Sequence, residues 1–141
     1  MPKRISDVSL HVYVTPETLD RVVDSVREVV DDHLQDRDVF AWRFTLPVES
    51  DAPEHLLLET QWRVEHPGQE QGARRTYEIA LSLVGAPRDL TAPSLSALEK
   101  RLMLETASCP MDLEIPRTIR VQRRDSFDFE TERERFRLPG Y

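Results

Sequence analysis

The sequence has few of the residues on which familiar functional motifs depend. It contains one cysteine, Cys109, and 4 glycines in 141 residues. A single cysteine cannot form an internal disulfide, and it cannot supply the paired thiolates of the usual zinc sites. So few glycines argue against loops that cradle phosphate groups, and no Walker, dinucleotide-binding or GxSxG motif is present. We therefore expect no cofactor.

Long apolar runs and an excess of positive charge are also missing. No stretch approaches the roughly 20 apolar residues that span a bilayer. Residues 1–7 are polar, and the apolar core of a secretory signal does not follow them. We therefore expect a cytoplasmic protein that does not bind membranes. The net charge of −7 argues against binding to nucleic acid, whose phosphate backbone favours clustered positive charge.

The clearest pattern that is present is a helical one. In residues 15–35 the apolar side chains recur at steps of three and four, which predicts an amphipathic helix with one buried stripe. Thr15 can cap the first free amide groups, and Pro16 suits the first helical position because its missing N–H would have no partner there. This helix is expected to organise the core.

Alternation of apolar and polar residues predicts the remaining elements. Strands are expected at residues 8–14, 39–48, 55–65, 74–85 and 112–124, and a second helix at residues 93–107. The expected fold is α+β, with one mostly antiparallel sheet in β-α-β-β-β-α-β order and two helices on one face. This order resembles a ferredoxin-like arrangement with one extra strand, which implies a fold and no particular activity. Residues 1–124 are expected to form one domain, followed by a charged C-terminal arm or tail at 125–141.

The same alternation suggests which side chains face the helices. The bulky residues of the second strand and both tryptophans are expected to point inward, as core residues. The opposite, open sheet face would then carry His11, Tyr13, Arg43, Glu59 and Arg63. A pairing of His11 with Glu59 beside the arginines could provide a general base and an anion clamp, although a solvated sheet face with cross-strand ion pairs is the more ordinary interpretation. An enzyme or ligand-binding protein with a polar pocket on this face is the alternative function.

Metal binding has little support. The four histidines form no HxxxH or HExxH pair. Two acidic clusters, one with Asp51, Glu54 and His55 and another with Asp31, Asp32 and His33, could in principle hold a cation. Solvated surface acids are much commoner than sites, so we expect no metal.

The outer face of the first helix carries acids at unfavourable spacings. Asp20, Asp24, Glu28 and Asp32 follow one another at intervals of four, and Asp31 and Asp32 lie near the helix C-terminus, where the helix dipole favours cations. Each such like-charge pair costs a few tenths of a kcal/mol. A generally acidic proteome would explain this pattern. Selection for an acidic docking surface would also explain it.

These features favour a non-catalytic protein–protein interaction module, such as an accessory or adaptor subunit, an inhibitor or an immunity-type protein. The expected partner is another protein with a basic surface, and a homodimer is compatible with the pattern. Besides the helix acids, the C-terminal arm offers aromatic and arginine residues of the types enriched in binding hot spots, namely Phe136, Arg137 and Tyr141.

Overall fold

A computed structural model describes residues 3–107 and 114–127, which form a four-stranded antiparallel sheet with three α-helices. The α+β class is therefore confirmed. The elements in chain order are β1 (Lys3–Val14), α1 (Pro16–His33), β2 (Val39–Pro47), α2 (Pro53–Glu65), β3 (Arg75–Gly85), a 3₁₀ turn (Pro87–Asp89), α3 (Ala92–Glu105) and β4 (Arg117–Phe127).

The strands lie in the order β2-β3-β1-β4, and every neighbouring pair is antiparallel. β1 and β3 therefore occupy the centre of the sheet, while β2 and β4 form its edges. Since β3 is antiparallel to both β1 and β2 and lies between them, β1 and β2 run parallel to each other and are not hydrogen-bonded neighbours. The three consecutive strands of the predicted β-α-β-β-β-α-β order are not found, because α2 lies between β2 and β3.

Helix α1 matches its prediction closely. Thr15 is the N-cap, and its hydroxyl accepts a hydrogen bond from the Thr18 amide at 3.3 Å. Such a cap stabilises a helix by about 1 kcal/mol. Val22, Val26 and Val30 are buried on the inner stripe, which packs against the sheet. Sequence periodicity therefore located both ends of this helix and its buried face.

The main core lies between the sheet and the pair of helices α1 and α3. Alternate residues of the two central strands face the helices, because a β-strand turns successive side chains to opposite faces. These side chains pack against the inner stripes of both helices and are almost fully buried. The central members are Val8, Leu10 and Val12 of β1, Ile79, Leu81 and Leu83 of β3, Val22, Val26, Val29 and Val30 of α1, and Leu95, Leu98 and Leu102 of α3.

The expected strand at residues 55–65 is wrong, because this stretch is most of helix α2. Its buried residues are His55, Leu58 and Trp62, which are spaced by three and four as on a helix. Pro53 in the first turn and the Glu59–Arg63 ion pair four residues apart also favour a helix. The alternation that suggested a strand came from Leu56 and Val64, both of which are exposed. The sheet consequently has four strands within the described residues, not five.

The expected orientation of β2 is also wrong. Its register against β3 pairs Ala41 with Leu83 and Thr45 with Ile79, two residues of the main core. Directly opposite residues of neighbouring strands share a face, so Ala41, Arg43 and Thr45 lie on the helix side. The bulky alternate residues of β2 lie on the other face. Trp42, expected in the core, is 61% exposed, whereas Trp62 is 3% exposed and is buried through helix α2.

One buried contact between helices α1 and α3 makes the stability of the fold depend on pH. The imidazole of His33, at the end of α1, is buried, and its Nε2 lies 3.1 Å from the Ser94 hydroxyl of α3. Burial lowers the pKa of His33 below 6.5, and the nearby cations Arg37 and Arg101 lower it further. The unfolded chain therefore binds this proton at higher pH than the folded protein does. The resulting stability is complete above pH 6.5 and is lost as the pH falls below it.

We expect His33→Gln, which keeps a polar contact to Ser94, to flatten this dependence. Urea unfolding between pH 7.5 and pH 5 measures the free energy of unfolding of both proteins. As the pH falls over this range, the free energy of unfolding should decrease more for the wild type than for the variant, because all other titrating groups are common to the two. Parallel curves would contradict the assignment to His33.

Candidate interaction surface on the open sheet face

The open face, defined as the sheet face opposite α1 and α3, is divided into an apolar edge and a polar centre. The register places four bulky residues of β2 on it, opposite Val84, Ser82, Ala80 and Glu78 of β3. We refer to these four residues, Phe40, Trp42, Phe44 and Leu46, as the aromatic stripe. β1 and β4 contribute polar residues to the same face, namely Ser9, His11, Thr118, Arg120 and Gln122.

The aromatic stripe is strongly exposed for side chains of this type. The exposed fractions are 61% for Phe40, 61% for Trp42, 51% for Phe44 and 48% for Leu46. The rings of Phe40 and Trp42 meet edge to face, with centroids 5.6 Å apart. Single exposed apolar side chains are common on protein surfaces, whereas a contiguous row of them indicates a contact surface. The row also follows an edge strand, where pairing with another chain is easiest.

The polar centre of the open face is held by cross-strand contacts. His11 of β1 lies directly opposite Glu78 of β3, with Nε2 3.8 Å from Oε2. The Ser9 hydroxyl donates a hydrogen bond to the same carboxylate oxygen. Nearby, the Ser82 hydroxyl donates to Asp7 at 2.7 Å. These contacts resemble the ordinary cross-strand pairs that stabilise a solvated sheet face.

A groove of about 760 Å³ lies between this polar centre and the start of α2. His11 and Glu78 line its floor, together with Arg120 of β4, and Leu46 and Leu57 line its sides. The volume falls within the range of small-molecule sites. The groove therefore joins one end of the aromatic stripe to a histidine–carboxylate pair.

Helix α2 covers the adjoining end of the open face, on the far side of the groove from the polar centre. Tyr13, Leu58 and Trp62 form a separate buried cluster there. His55 fixes the helix to the sheet, since its Nδ1 lies 2.9 Å from the Thr76 hydroxyl and its Nε2 lies 2.7 Å from a Glu59 oxygen. Burial raises the pKa of Tyr13, and the nearby Glu59 carboxylate raises it further. These polar groups pack the helix against the sheet and do not line the groove.

The structure separates most of the residues predicted for this face. Glu59 contacts His55 and Arg63 on its own helix, while His11 pairs with Glu78, so the expected His11–Glu59 pair does not form. Arg43 lies on the helix side of the sheet, as its register shows. Tyr13 has the predicted orientation but lies beneath α2. Only His11 among these candidates lines the groove.

The acids of α1 occupy the positions expected of them. Asp20, Asp24, Glu28, Asp31 and Asp32 are all exposed on the outer side of the helix. Asp32 makes an ion pair of 2.8 Å with Arg101 of α3. Phe136, Arg137 and Tyr141 lie outside the described residues, as does Cys109.

Within residues 3–107 and 114–127, no three His, Cys, Asp or Glu side chains are grouped closely enough to share a metal ion. In the first acidic cluster considered above, His55 contacts Thr76 and Glu59. In the second, His33 contacts Ser94. Over the same residues, no helix is long and apolar enough to cross a membrane.

Sequence reasoning missed the aromatic stripe as a surface. It recognised the alternation of β2 but not which of the two faces meets the helices. Pro47 gave a partial signal, because proline is confined to strand ends and edges, and β2 is an edge strand that ends at Pro47. On an edge strand a bulky row is not required to complete the core. That inference needs the strand order, which no local pattern contains.

Comparison with known proteins identifies no relative from which a function could be carried over. No protein-family model matches the chain, and no curated protein sequence matches it. Among solved structures, the de novo designed protein Foldit4 is similar over 85% of this chain and 96% of its own, with 11% identity and a TM-score of 0.46. The C-terminal domain of the MgtC protein from Mycobacterium tuberculosis is similar over 89% and 94%, with 12% identity and a TM-score of 0.44.

A third similar structure is an amidase of the hydantoinase/carbamoylase family from Burkholderia multivorans. It matches 95% of this chain but only 32% of its own, with 14% identity and a TM-score of 0.42. Identities and scores at this level carry no argument about function.

Proposed function

We propose that this protein is a non-catalytic protein–protein interaction module. The observation that carries the proposal is the exposed aromatic stripe on an edge strand. About half of each side chain is exposed, so the stripe presents roughly 400 Å² of apolar surface, given the 150–250 Å² that a large aromatic residue can bury. Patches of this size on monomers often mark binding sites.

The composition of the stripe suits a protein partner. Phenylalanine and tryptophan are enriched in the centres of protein interfaces, and tryptophan is among the commonest hot-spot residues. Covering roughly 400 Å² of apolar surface contributes about 10 kcal/mol before the costs of association are subtracted. The stripe can therefore stabilise a complex, provided that the partner also satisfies the polar groups around it.

A second surface of the module is the acidic outer face of α1, which we propose as a docking site for a basic partner. Its acids are exposed and follow one another at spacings that slightly destabilise the helix. An exposed acidic row steers a basic protein toward the module and discourages acidic ones, even when each ion pair adds little affinity. The aromatic stripe and the acidic face are independent surfaces and can be tested separately.

We further propose that the fold is a ferredoxin-like variant in which α2 is inserted between β2 and β3. The β2-β3-β1-β4 order supports this assignment, as do the parallel, non-adjacent strands β1 and β2 with α1 between them in sequence. Both α1 and α3 pack on one face, as such a fold requires. An experimental structure with β1 and β2 as hydrogen-bonded neighbours would contradict the assignment.

The stripe is tested by the double substitution Trp42→Thr with Phe44→Thr. Threonine favours β-strands, so the free energy of unfolding should change by less than about 1 kcal/mol at these exposed positions. Immobilised protein is exposed to native-host lysate and to a differently tagged copy of itself, and all retained protein is quantified. The variant should retain at least tenfold less than the wild type.

The matched control for this experiment is Val64→Ser with Leu104→Ser, which removes two equally exposed apolar side chains from α2 and α3. The control should retain the wild-type amount. Equal retention by all three proteins would contradict a role of the stripe in protein contacts.

The acidic face is tested by reversing three of its charges with Asp24→Lys, Glu28→Lys and Asp31→Lys. Asp32 is left intact because it pairs with Arg101. The control reverses three exposed acids elsewhere, Asp51, Glu70 and Glu105, and so changes the net charge equally. Basic proteins retained from the native host at about 0.15 M salt should be lost only with the α1 variant. The docking proposal fails if both variants behave alike.

The groove supports a second candidate function, the binding of a small polar ligand next to His11 and Glu78. Its size and its histidine–carboxylate pair favour this candidate. A thermal-shift screen of small metabolites provides the test. At least one compound should raise the melting temperature of the wild type and leave His11→Ala and Glu78→Gln unaffected. A screen without such a compound, or one with equal shifts in all three proteins, would count against a ligand site.

A further inference from the structure

The outer edge of β2 presents backbone groups that alternate in a defined way. The amide of Val48 donates to the carbonyl of Thr76 at 2.9 Å, one step beyond the pair Pro47–Tyr77. In an antiparallel ladder, directly opposite residues alternate between hydrogen-bonded and non-hydrogen-bonded pairs. The even-numbered residues of β2 therefore direct their N–H and C=O groups toward β3. The odd-numbered residues Val39, Ala41, Arg43 and Thr45 direct theirs away from the sheet.

This edge has few of the features that normally prevent strands from pairing. Natural edge strands are usually short or carry charged side chains, prolines or bulges. β2 has 9 residues, its one charged residue is Arg43, and its one proline lies at the last position. Its register with β3 is regular along the whole strand. The edge is thus a template for another extended strand, with the aromatic stripe as an apolar border on one side.

From these observations, and resting on the proposed interaction function, we propose that the occupant of this edge is a second copy of the same chain. The two β2 strands would pair antiparallel across a two-fold axis and join the two sheets into one of eight strands. A two-fold contact brings the same surface from both copies together, so an apolar stripe meets an apolar stripe. A different protein would need its own exposed strand with apolar residues at matching positions, whereas a second copy of this chain already has one.

Geometry and charge select one register of this pairing. The outward-facing odd residues must oppose odd residues of the partner copy, so the axis passes through a residue position. Only the central positions Trp42, Arg43 and Phe44 let most of the strand pair. An axis at Arg43 would place the two Arg43 side chains directly opposite each other, a destabilising like-charge pair. An axis at Phe44 would oppose Ala41 to Pro47, which has no N–H to donate. An axis at Trp42 avoids both problems.

In the selected register Trp42 opposes Trp42 of the other copy, and Phe40 opposes Phe44. Arg43 opposes Ala41, and Val39 opposes Thr45, so each of these outward-facing residues finds a hydrogen-bonding partner. Aromatic cross-strand pairs are among the more stabilising in antiparallel sheets. The stripes of the two copies would lie side by side on one sheet face, so each would bury only part of its roughly 400 Å². That is less than half of the ~800 Å² per partner that stable interfaces bury. The paired backbone and the flanking side chains would have to supply the remainder.

Sedimentation of the full chain tests the proposal, with the two exposed-residue variants described above as probes. The wild type should sediment with twice the monomer mass of 16.4 kDa at micromolar concentration. Trp42→Thr with Phe44→Thr should raise the dimer dissociation constant at least about a hundredfold, since hot-spot truncations have effects of this size. Val64→Ser with Leu104→Ser should leave it unchanged.

Disulfide cross-linking tests the register, in a Cys109→Ser background that removes the native thiol. A mixture of Val39→Cys and Thr45→Cys copies should cross-link under mild oxidation, because these two positions lie directly opposite each other and leave the aromatic stripe intact. Thr45→Cys alone should not cross-link, because the two copies of that position are displaced by six residues, about 20 Å. Arg43→Cys reports the rejected register, and faster cross-linking there would overturn the proposed one.

The outcomes separate the dimer from the broader function. A wild type that is monomeric at all concentrations overturns the dimer. If the wild type is monomeric but the stripe variant retains less host protein than the wild type does, the interaction function stands without the dimer. If the wild type is monomeric and no protein depends on the stripe, both proposals fail.

Discussion

The structure depends on the burial of the α1 valine stripe against the two central strands. β1 and β3 each have one face covered by α1 and α3, and this layer contains nearly all of the large apolar cluster. Among the described residues, α2 alone packs on the opposite face, against Tyr13 at one end, and these residues leave most of that face open. β2 adds only the partly buried Val39 and Ala41 to this core, and its other face carries the exposed aromatic side chains.

That division is the reason we propose binding as the function. A catalytic site needs several polar groups that converge on a reacting atom, and the groove offers one such pair, His11 with Glu78. The buried pair of His55 and Thr76 joins α2 to the sheet, and His55 also contacts Glu59 of its own helix. By contrast, the aromatic stripe and the acidic face of α1 are exposed, and both have the chemistry of protein contacts. One surface offers apolar area, and the other offers negative charge.

Sequence reasoning recovered the fold class, the first helix with its cap, the two central strands and the second predicted helix, now α3. These elements have strong, unambiguous periodicity. It failed for α2, where Leu56 and Val64 imitate a strand alternation although Leu58 and Trp62 have helical spacing. It also failed for the face of β2, because alternation divides a strand into two sets without assigning either to the core. The predicted His11–Glu59 pair failed because Glu59 lies on α2, where it contacts His55, and not on a strand of the sheet. Strand order and tertiary packing supply the missing information, and neither is local.

The central claim is that the outer edge of β2 is a contact surface. Amide hydrogen exchange along this strand tests it most directly, measured over a range of protein concentrations. The even-numbered amides, such as that of Trp42, bond to β3 and should be protected throughout. The amides of Val39, Ala41, Arg43 and Thr45 should exchange rapidly in dilute solution and become protected as the concentration rises. Rapid exchange of these four amides at every concentration, both alone and with host proteins added, would contradict the account.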